Sequence, residues 1–166
     1  MRISKQQVIE KFSELALREF SALVESARQA HEDATHEESQ SEDKHDTRAI
    51  EASYLAAGQA ARVTQLEQHL QELKNFPAAP CTRAVPGALI EMTVNDRPSW
   101  ALLANTGGGQ QITLSTKETG LSNDVTVSIV SPHSPLGDEL LDLKAGDSFT
   151  MESKNGAKEY EILWIG

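Results

Sequence analysis

Ser131-Pro-His-Ser-Pro-Leu-Gly-Asp-Glu-Leu-Leu141 decides how the last third of the chain folds. Each of its two prolines fixes its own φ angle and forces the preceding serine into extended geometry, so an incoming strand must end here. Ser134 can accept a hydrogen bond from the first turn of a helix that begins at Pro135, the position where proline is best tolerated. The stretch therefore predicts a strand end, a tight turn and a short capped helix over 135–142.

The residues around this stretch have the two-residue period of strands. We expect strands at 88–94, 100–105, 111–115 and 125–130, with breaks at 95–98 and at 106–109. Thr106-Gly-Gly-Gly109 lacks the Gly-Lys-Ser/Thr of a phosphate loop and is interpreted as a hairpin turn. Asn155-Gly156 predicts a second hairpin, between strands at 148–153 and 157–165. Residues 81–166 are thus predicted to form a small α+β domain.

The first half of the chain has a helical period instead. Two segments, 5–31 and 48–75, carry mostly apolar or small residues at spacings of three and four, the heptad pattern of a coiled coil. The spacings alternate strictly in the second segment, and the first segment has one extra step of four. The seams contain Ile9, Phe12, Ala16, Phe20, Leu23, Ala27 and Ala30 in the first segment, and Ala49, Ala52, Ala56, Gln59, Val63, Leu66, Leu70 and Leu73 in the second.

Paired antiparallel, these two helices would form a finger over residues 1–76, with an acidic tip at about 32–47. At about 1.5 Å per residue, arms of about 28 residues extend roughly 40 Å. Phe76-Pro77 stops the second helix, and 77–80 is a short linker. The predicted fold class is α+β, with an antiparallel two-helix coiled coil followed by a β domain that contains a short helix.

Composition narrows the function classes. A net charge of −10 argues against broad nucleic-acid binding and suits a basic protein groove or divalent cations. The one cysteine, Cys81, excludes an internal disulfide or a four-cysteine metal site within one chain. The sequence has no apolar run long enough for a membrane span and no secretion signal at Met1–Gln7. We expect a cytoplasmic monomer with no membrane partner.

Read in order, the C-terminal motifs resemble the C-terminal domain of the bacterial transcript-cleavage factors GreA and GreB. That family shows S-P-x-S-P-[LI]-G-x-x-L-L, then G-D, a strand, an N/D-G turn and a closing Y-x-I-x-x-I strand. Each part is present here, ending with Tyr160-x-Ile162-x-x-Ile165. The resemblance implies an FKBP-like half-wrapped sheet and a DNA-associated transcription factor. It also implies a finger that enters the secondary channel of RNA polymerase and stimulates the polymerase to cleave backtracked RNA at its 3′ end.

The acidic tip is the candidate catalytic region. Residues 31–51 hold eight carboxylates. The resemblance implies that tip acids help hold a Mg²⁺ within the polymerase site, while the chain has no cofactor and no catalytic activity of its own. Mg²⁺ prefers hard oxygen ligands and is readily shared between carboxylates and phosphates. Asp43 and Asp46 are the first candidates for shared Mg²⁺ ligands, and Glu42 and Glu51 are the second.

The tip departs from the family's usual G-D-L-x-E-N-A-E-Y. Aligned on Ala52-x-Tyr54, the two acid positions of the family hold Thr47 and Ile50. The acid-x-x-acid spacing is present one turn earlier, at Asp43 and Asp46. A factor that docks in the same way without stimulating cleavage is therefore an alternative function. For the acids themselves, the alternative is an exposed loop whose charges only increase solubility.

The residues expected to bind the polymerase lie at both ends of the molecule. The resemblance assigns the contact with the polymerase rim to the loop that contains Ser134, Pro135, Leu136 and Gly137, and Tyr54 is a further candidate for contact with the channel wall. Leu136 could instead cap the sheet with Leu140 or Leu141. Two other functions remain as alternatives: a prolyl isomerase, because of the expected FKBP-like fold, and a coiled-coil adaptor with an unrelated partner.

Overall fold

Two long helices precede a mixed sheet and its short helices. The computed structural model describes residues 2–38, 47–77, 79–153 and 156–166, with the backbone alone described at 33–38, 47–56 and 153. The predicted α+β class, with two N-terminal helices and a C-terminal β domain, is confirmed. The elements are α1 (Lys5–Glu38), α2 (Thr47–Lys74), β1 (Leu89–Val94), β2 (Arg97–Leu103), β3 (Gln111–Leu114), α3 (Thr116–Thr119), β4 (Val125–Val130), α4 (Pro135–Leu140), β5 (Ser148–Ser153) and β6 (Gly156–Ile165).

The six described strands form one sheet in the order β3-β4-β2-β1-β6-β5. The β2–β4 pair is parallel and the other four pairs are antiparallel. The core on one side of the sheet is made of aliphatic side chains from the central strands together with Leu140 of α4, which is fully buried. The short helix therefore covers the sheet with its last turn.

The β1–β2 connection is tighter than the sequence predicted. Asn95 and Asp96 have φ angles of 49° and 62°, the paired left-handed conformation of a type I′ hairpin turn that these two residue types tolerate well. β2 consequently starts at Arg97, and Pro98 lies opposite Thr93 rather than in the break. Proline is accommodated because pairing of β2 with β4 begins only at Trp100, so the missing N–H removes no bond on that side.

The prediction of a hairpin at Thr106–Gly109 is wrong. The strands that flank it, β2 and β3, are not neighbours, because β4 lies between them. The glycine loop instead lies along β4, where the Gly109 N–H donates to the Ile129 carbonyl at 2.9 Å. Sequence period alone does not report strand order, and a turn-rich loop fits a crossover as well as a hairpin.

Other boundaries also differ from the sequence prediction. α1 continues to Glu38 rather than ending at residue 31, so the first part of the predicted tip is helical. α4 ends at Leu140 rather than at residue 142. β6 begins at Gly156, which pairs with Ser153 and has a φ angle of 102°. The predicted turn residue Asn155 lies outside the described residues. α3, which the sequence period did not reveal, is a single turn capped by Ser115 and Glu118.

The chain divides into two compact units. Met1–Phe12 together with Asn75–Gly166 form the first, and Ser13–Lys74 form the second. The start of α1 is counted with the β domain because its polar side chains bond to that domain. Lys5 Nζ donates to the Ala79 and Gly87 carbonyls at 2.5 and 3.0 Å, and Lys11 Nζ lies 3.0 Å from Glu118 Oε1.

Within the second unit, α1 and α2 run antiparallel. Gln59 Nε2 donates to Ser26 Oγ at 3.3 Å, and Arg62 lies 3.4 Å from Glu19. Residue numbers therefore increase along α2 while those of the contacting residues in α1 decrease. Seam residues Ala16, Leu66 and Leu73 are buried as the heptads predict. Among the described residues, no helical segment combines the length and the apolar character that crossing a lipid bilayer requires.

Candidate docking surface

The loop from Ser131 to Ser134 is closed by its own hydrogen bonds. Ser134 donates to the Ser131 carbonyl through both its backbone N–H, at 3.0 Å, and its hydroxyl, at 2.7 Å. The same hydroxyl accepts a hydrogen bond from the Gly137 N–H at 3.1 Å, so Ser134 caps α4 as the sequence predicted. With both prolines restricting φ as well, the loop is held in one conformation before any partner arrives.

Gly137 is required here for space rather than for its φ angle. A Cβ atom built on it would lie 2.0 Å from the Ser131 carbonyl oxygen and 2.9 Å from Pro132 Cα. Both contacts are with backbone, which cannot rotate away as a side chain can. The helix therefore packs directly on the loop that precedes it, and Gly137 sets that distance.

The leucines of α4 have different roles. Leu140 is fully buried in the sheet core, as predicted for one of Leu140 and Leu141, and Leu141 is half-buried. Leu136 packs against the edge of the same core but is only partly buried, beside the exposed Pro135. Part of its apolar side chain is therefore open to solvent on a rigid support.

Leu136 separates two open cavities on this side of the domain. The larger, of about 640 Å³, continues along β1, β2 and β6. The smaller, of about 480 Å³, runs along β4 toward the glycine loop. We call Leu136 and these two cavities the docking surface. Besides Leu136, its lining residues are Met92, Val94, Asn95, Arg97, Pro98, Ser99, Gly108, Gly109, Gln110, Gln111, Ser128, Ile129, Val130, Ser131, Ser134, Lys158 and Tyr160.

The charge of the docking surface is opposite in sign to that of the whole chain. Its charged lining residues are Arg97 and Lys158, both exposed and both basic, whereas the chain carries a net charge of −10. An apolar centre beside basic side chains is suited to a partner segment that is apolar and acidic. The sequence prediction missed both residues, because Arg97 was assigned to a turn and only the sheet order brings it to the same cavity as Lys158.

The predicted polymerase-binding residues of the loop come together. Ser134, Pro135, Leu136 and Gly137 form the first turn of α4 and its cap. Tyr54 and Glu51 belong to α2, but their side chains are not among those described. The remaining tip candidates, Glu42, Asp43 and Asp46, lie outside the described residues.

The described residues contain no cluster of three or more His, Cys, Asp or Glu side chains able to hold a metal ion. The aromatic side chains of the β domain are mainly structural. Phe149 and Tyr160 stack with ring centroids 4.7 Å apart, and Trp100 meets Trp164 edge to face at 6.2 Å. Tyr160 and Trp100 are buried, so they contribute to the core more than to an open pocket.

Comparison with known proteins gives one family match, in the C-terminal part of the chain. Residues 99–166 match a family model described as "Transcription elongation factor, GreA/GreB, C-term". Over these residues, which are less than half of its length, the chain is similar to the GreA/GreB family. The matched region contains the whole Ser131–Leu141 stretch.

Solved structures with some likeness to this chain include two from Thermus. The GreA factor homolog 1 (Gfh1) protein of Thermus thermophilus is 16% identical with a TM-score of 0.36, over 93% of this chain and 94% of that one. Gfh1 of Thermus aquaticus is also 16% identical with a TM-score of 0.36, over 92% of each chain. At these scores the likeness carries no further argument. No curated protein matches the sequence.

Proposed function

We propose that this protein binds RNA polymerase through the docking surface, inserts its helical finger into the secondary channel and stimulates the polymerase to cleave backtracked RNA. The observation that carries the proposal is the capped Ser134–Gly137 turn within the matched GreA/GreB region. That turn supports a partly exposed Leu136 between two cavities. The polymerase owns the reaction centre in this proposal, and the chain supplies position and carboxylates.

The docking surface has the composition of a binding site with one apolar anchor. Leu136 is held by the hydrogen-bonded loop, so little side-chain or loop entropy is lost when it enters a partner's pocket. Arg97 and Lys158 flank it and favour an acidic stretch of the polymerase rim. The rest of the chain is acidic, so an acidic stretch of the polymerase rim repels the other faces of the protein.

The first experiment tests docking. Leu136→Ala is expected to weaken binding to RNA polymerase about tenfold, because truncation of a central anchor costs about 1–2 kcal/mol. Leu163→Ala is the matched control, since Leu163 is a leucine of β6 that is 41% exposed and outside the docking surface. Titration of labelled polymerase measures both affinities. Equal affinities for the two variants would remove the docking surface from the proposal.

The tip is proposed to contribute Asp43 and Asp46, with Glu42 and Glu51 in support, to a Mg²⁺ shared with the polymerase. Carboxylate oxygens are suitable ligands for this ion, which would stabilise negative charge at the reacting phosphate. The chain's own part is to carry these acids in the segment that joins α1 to α2 and near the start of α2, and Tyr54 is proposed to contact the channel wall. The target is the 3′ end of backtracked RNA, reached only through the polymerase.

The altered tip motif favours one alternative, a factor that docks identically but regulates transcription without cleavage. Stalled elongation complexes separate the two functions. We expect shortened transcripts with the intact protein and at least tenfold less cleavage with Asp43→Asn/Asp46→Asn at saturating protein. The control pair Asp138→Asn/Asp142→Asn changes the same charge in the β domain. No cleavage with the intact protein would leave the non-cleaving function. Unchanged cleavage by the tip pair would instead remove Asp43 and Asp46 from the proposal.

A further inference from the structure

A lysine amine and the chain's one cysteine thiol lie side by side in the first unit. Lys5 Nζ is 3.6 Å from Cys81 Sγ, although the two residues are 76 positions apart in sequence. The Lys5 side chain is 8% exposed, whereas Cys81 is only partly buried. An oxidant from solvent therefore reaches the thiol more readily than the amine.

Lys5 is held against Cys81 by the backbone. Its Nζ donates to the Ala79 carbonyl at 2.5 Å and to the Gly87 carbonyl at 3.0 Å, on either side of Cys81 in sequence. The amine thus lies between the two ends of the 79–87 segment, with little freedom to move from the sulfur. This geometry involves two reactive groups, so it is more specific than a cysteine that merely lies near the surface.

We propose that Lys5 and Cys81 form a redox-controlled covalent bridge, Nζ–O–Sγ, which fastens the start of α1 to the segment that leads into β1. In the first step hydrogen peroxide oxidises the thiol to a sulfenic acid: an S–O bond forms, the O–O bond breaks and water leaves. In the second step the Lys5 nitrogen, after releasing a proton to water, joins the sulfenic oxygen. One hydrogen leaves the nitrogen and one leaves the S–OH group, and a second peroxide takes up both hydrogens and two electrons to give two waters.

The net change is a gain of one oxygen and a loss of two hydrogens. A bridge containing one oxygen fits the 3.6 Å separation better than a direct S–N bond, which would require a larger approach of the two side chains. Return to the starting forms takes four electrons, two to cleave the S–O bond and two to cleave the N–O bond, and releases the oxygen as water; four thiol groups of the reductant supply these electrons and form two disulfides. The bridge is independent of the docking surface and of the tip acids.

The test treats the full-length protein with hydrogen peroxide and measures its intact mass. We expect a species with one added oxygen and two fewer hydrogens, which yields a Lys5–Cys81 cross-linked peptide after digestion and disappears with dithiothreitol. Cys81→Ser should abolish it. Lys5→Arg should leave a sulfenic acid that dimedone traps, whereas the matched control Lys11→Arg should cross-link like the wild-type protein.

Oxygen added at Cys81 with no loss of hydrogen in the wild-type protein would overturn the proposal. Cross-links from Cys81 to several different lysines would do so as well, because they would indicate random proximity. Circular dichroism checks that Lys5→Arg is folded; if it is not, the cross-linked peptide of the wild-type protein decides. Polymerase binding is read separately, so failure here leaves the proposed function unaffected.

Discussion

At the scale of single residues, the docking surface depends on two side chains that are short or absent. Ser134 supplies the cap, and Gly137 supplies the space that lets α4 pack on its preceding loop. The sequence singled out both residues, Ser134 as a helix cap and Gly137 as part of the motif that resembles the GreA/GreB pattern. The capping role follows from local chain geometry, whereas the close approach of Gly137 to Ser131 is visible only in three dimensions.

Gly137→Ala should destabilise the protein, since its Cβ would overlap the Ser131 carbonyl and force the backbone apart. Overpacking of this kind costs about 1–3 kcal/mol. Gly58→Ala is the control: nothing lies within 4 Å of its Cβ position on the exposed face of α2, and alanine is the better helix former by about 1 kcal/mol. Urea unfolding should therefore move the two variants in opposite directions. If Gly137→Ala leaves the free energy of unfolding unchanged, the Ser131–Ser134 loop relaxes to accommodate the added methyl group.

Glu118 makes the stability of the fold depend on pH in the acidic range. The Ser115 backbone N–H and hydroxyl both donate to its carboxylate at 2.7 Å, and with Lys11 they lower the pKa of Glu118 to about 2. Its folded pKa lies below its unfolded value, so the carboxylate stabilises the fold above about pH 4.3 and this contribution is lost as pH falls through about 2.

Glu118→Gln should accordingly be less stable than the wild-type protein at pH 7, and the two should converge near pH 2. The free energy of unfolding in urea, measured at several pH values, gives this difference directly. Exposed Glu139 provides the matched control, because Glu139→Gln removes the same charge from α4. A constant gap between Glu118→Gln and wild type across this pH range would contradict the cause given for the low pKa.

At the scale of elements, the seam between the two helices includes a polar residue at a core position. Gln59 occupies a heptad core position, where its amide nitrogen bonds to Ser26 of α1. Within the described part of the chain, its Oε1 is buried without a hydrogen-bond partner. A polar group of this kind specifies the register of two helices at a cost in stability.

Gln59→Leu should raise the melting temperature of the second unit, with a gain of about 1 kcal/mol from removal of the unpaired oxygen and burial of apolar surface. Gln68→Leu, at an exposed position of α2, should leave the stability within about 0.5 kcal/mol of wild type. Thermal unfolding followed by circular dichroism compares the two. Loss of stability in Gln59→Leu would show that its bond to Ser26 outweighs the unpaired oxygen.

At the scale of the whole molecule, the first unit joins residues from both ends of the sequence. Lys5 makes two of these long-range contacts, because its buried amine donates to two carbonyls more than 70 positions away. Arg2 adds a contact with Glu91 at 2.5 Å and lies over the Trp164 ring at 5.5 Å. The β domain thus includes the first residues of the chain.

Lys5→Met should destabilise the protein by about 1–3 kcal/mol, because methionine fills a similar volume but leaves the Ala79 and Gly87 carbonyls without this donor. Lys117→Met, at an exposed position of α3, changes the same charge and should have little effect. Chemical denaturation of the full chain measures both under reducing conditions, which exclude any contribution from the proposed bridge. Equal stability of the two variants would mean that water replaces the lysine at little cost.

The sequence by itself determined the features that depend on near neighbours in the chain. Heptad spacing predicted the two helices, the proline-flanked serines predicted the cap of α4, and the period of two predicted most of the strands, because each pattern reflects geometry within a few residues. Only the tertiary structure decided the strand order, which made the predicted glycine hairpin a crossover loop. It also brought Arg97 and Lys158 to one cavity and Lys5 to Cys81, since such contacts arise from packing between segments that no local pattern connects.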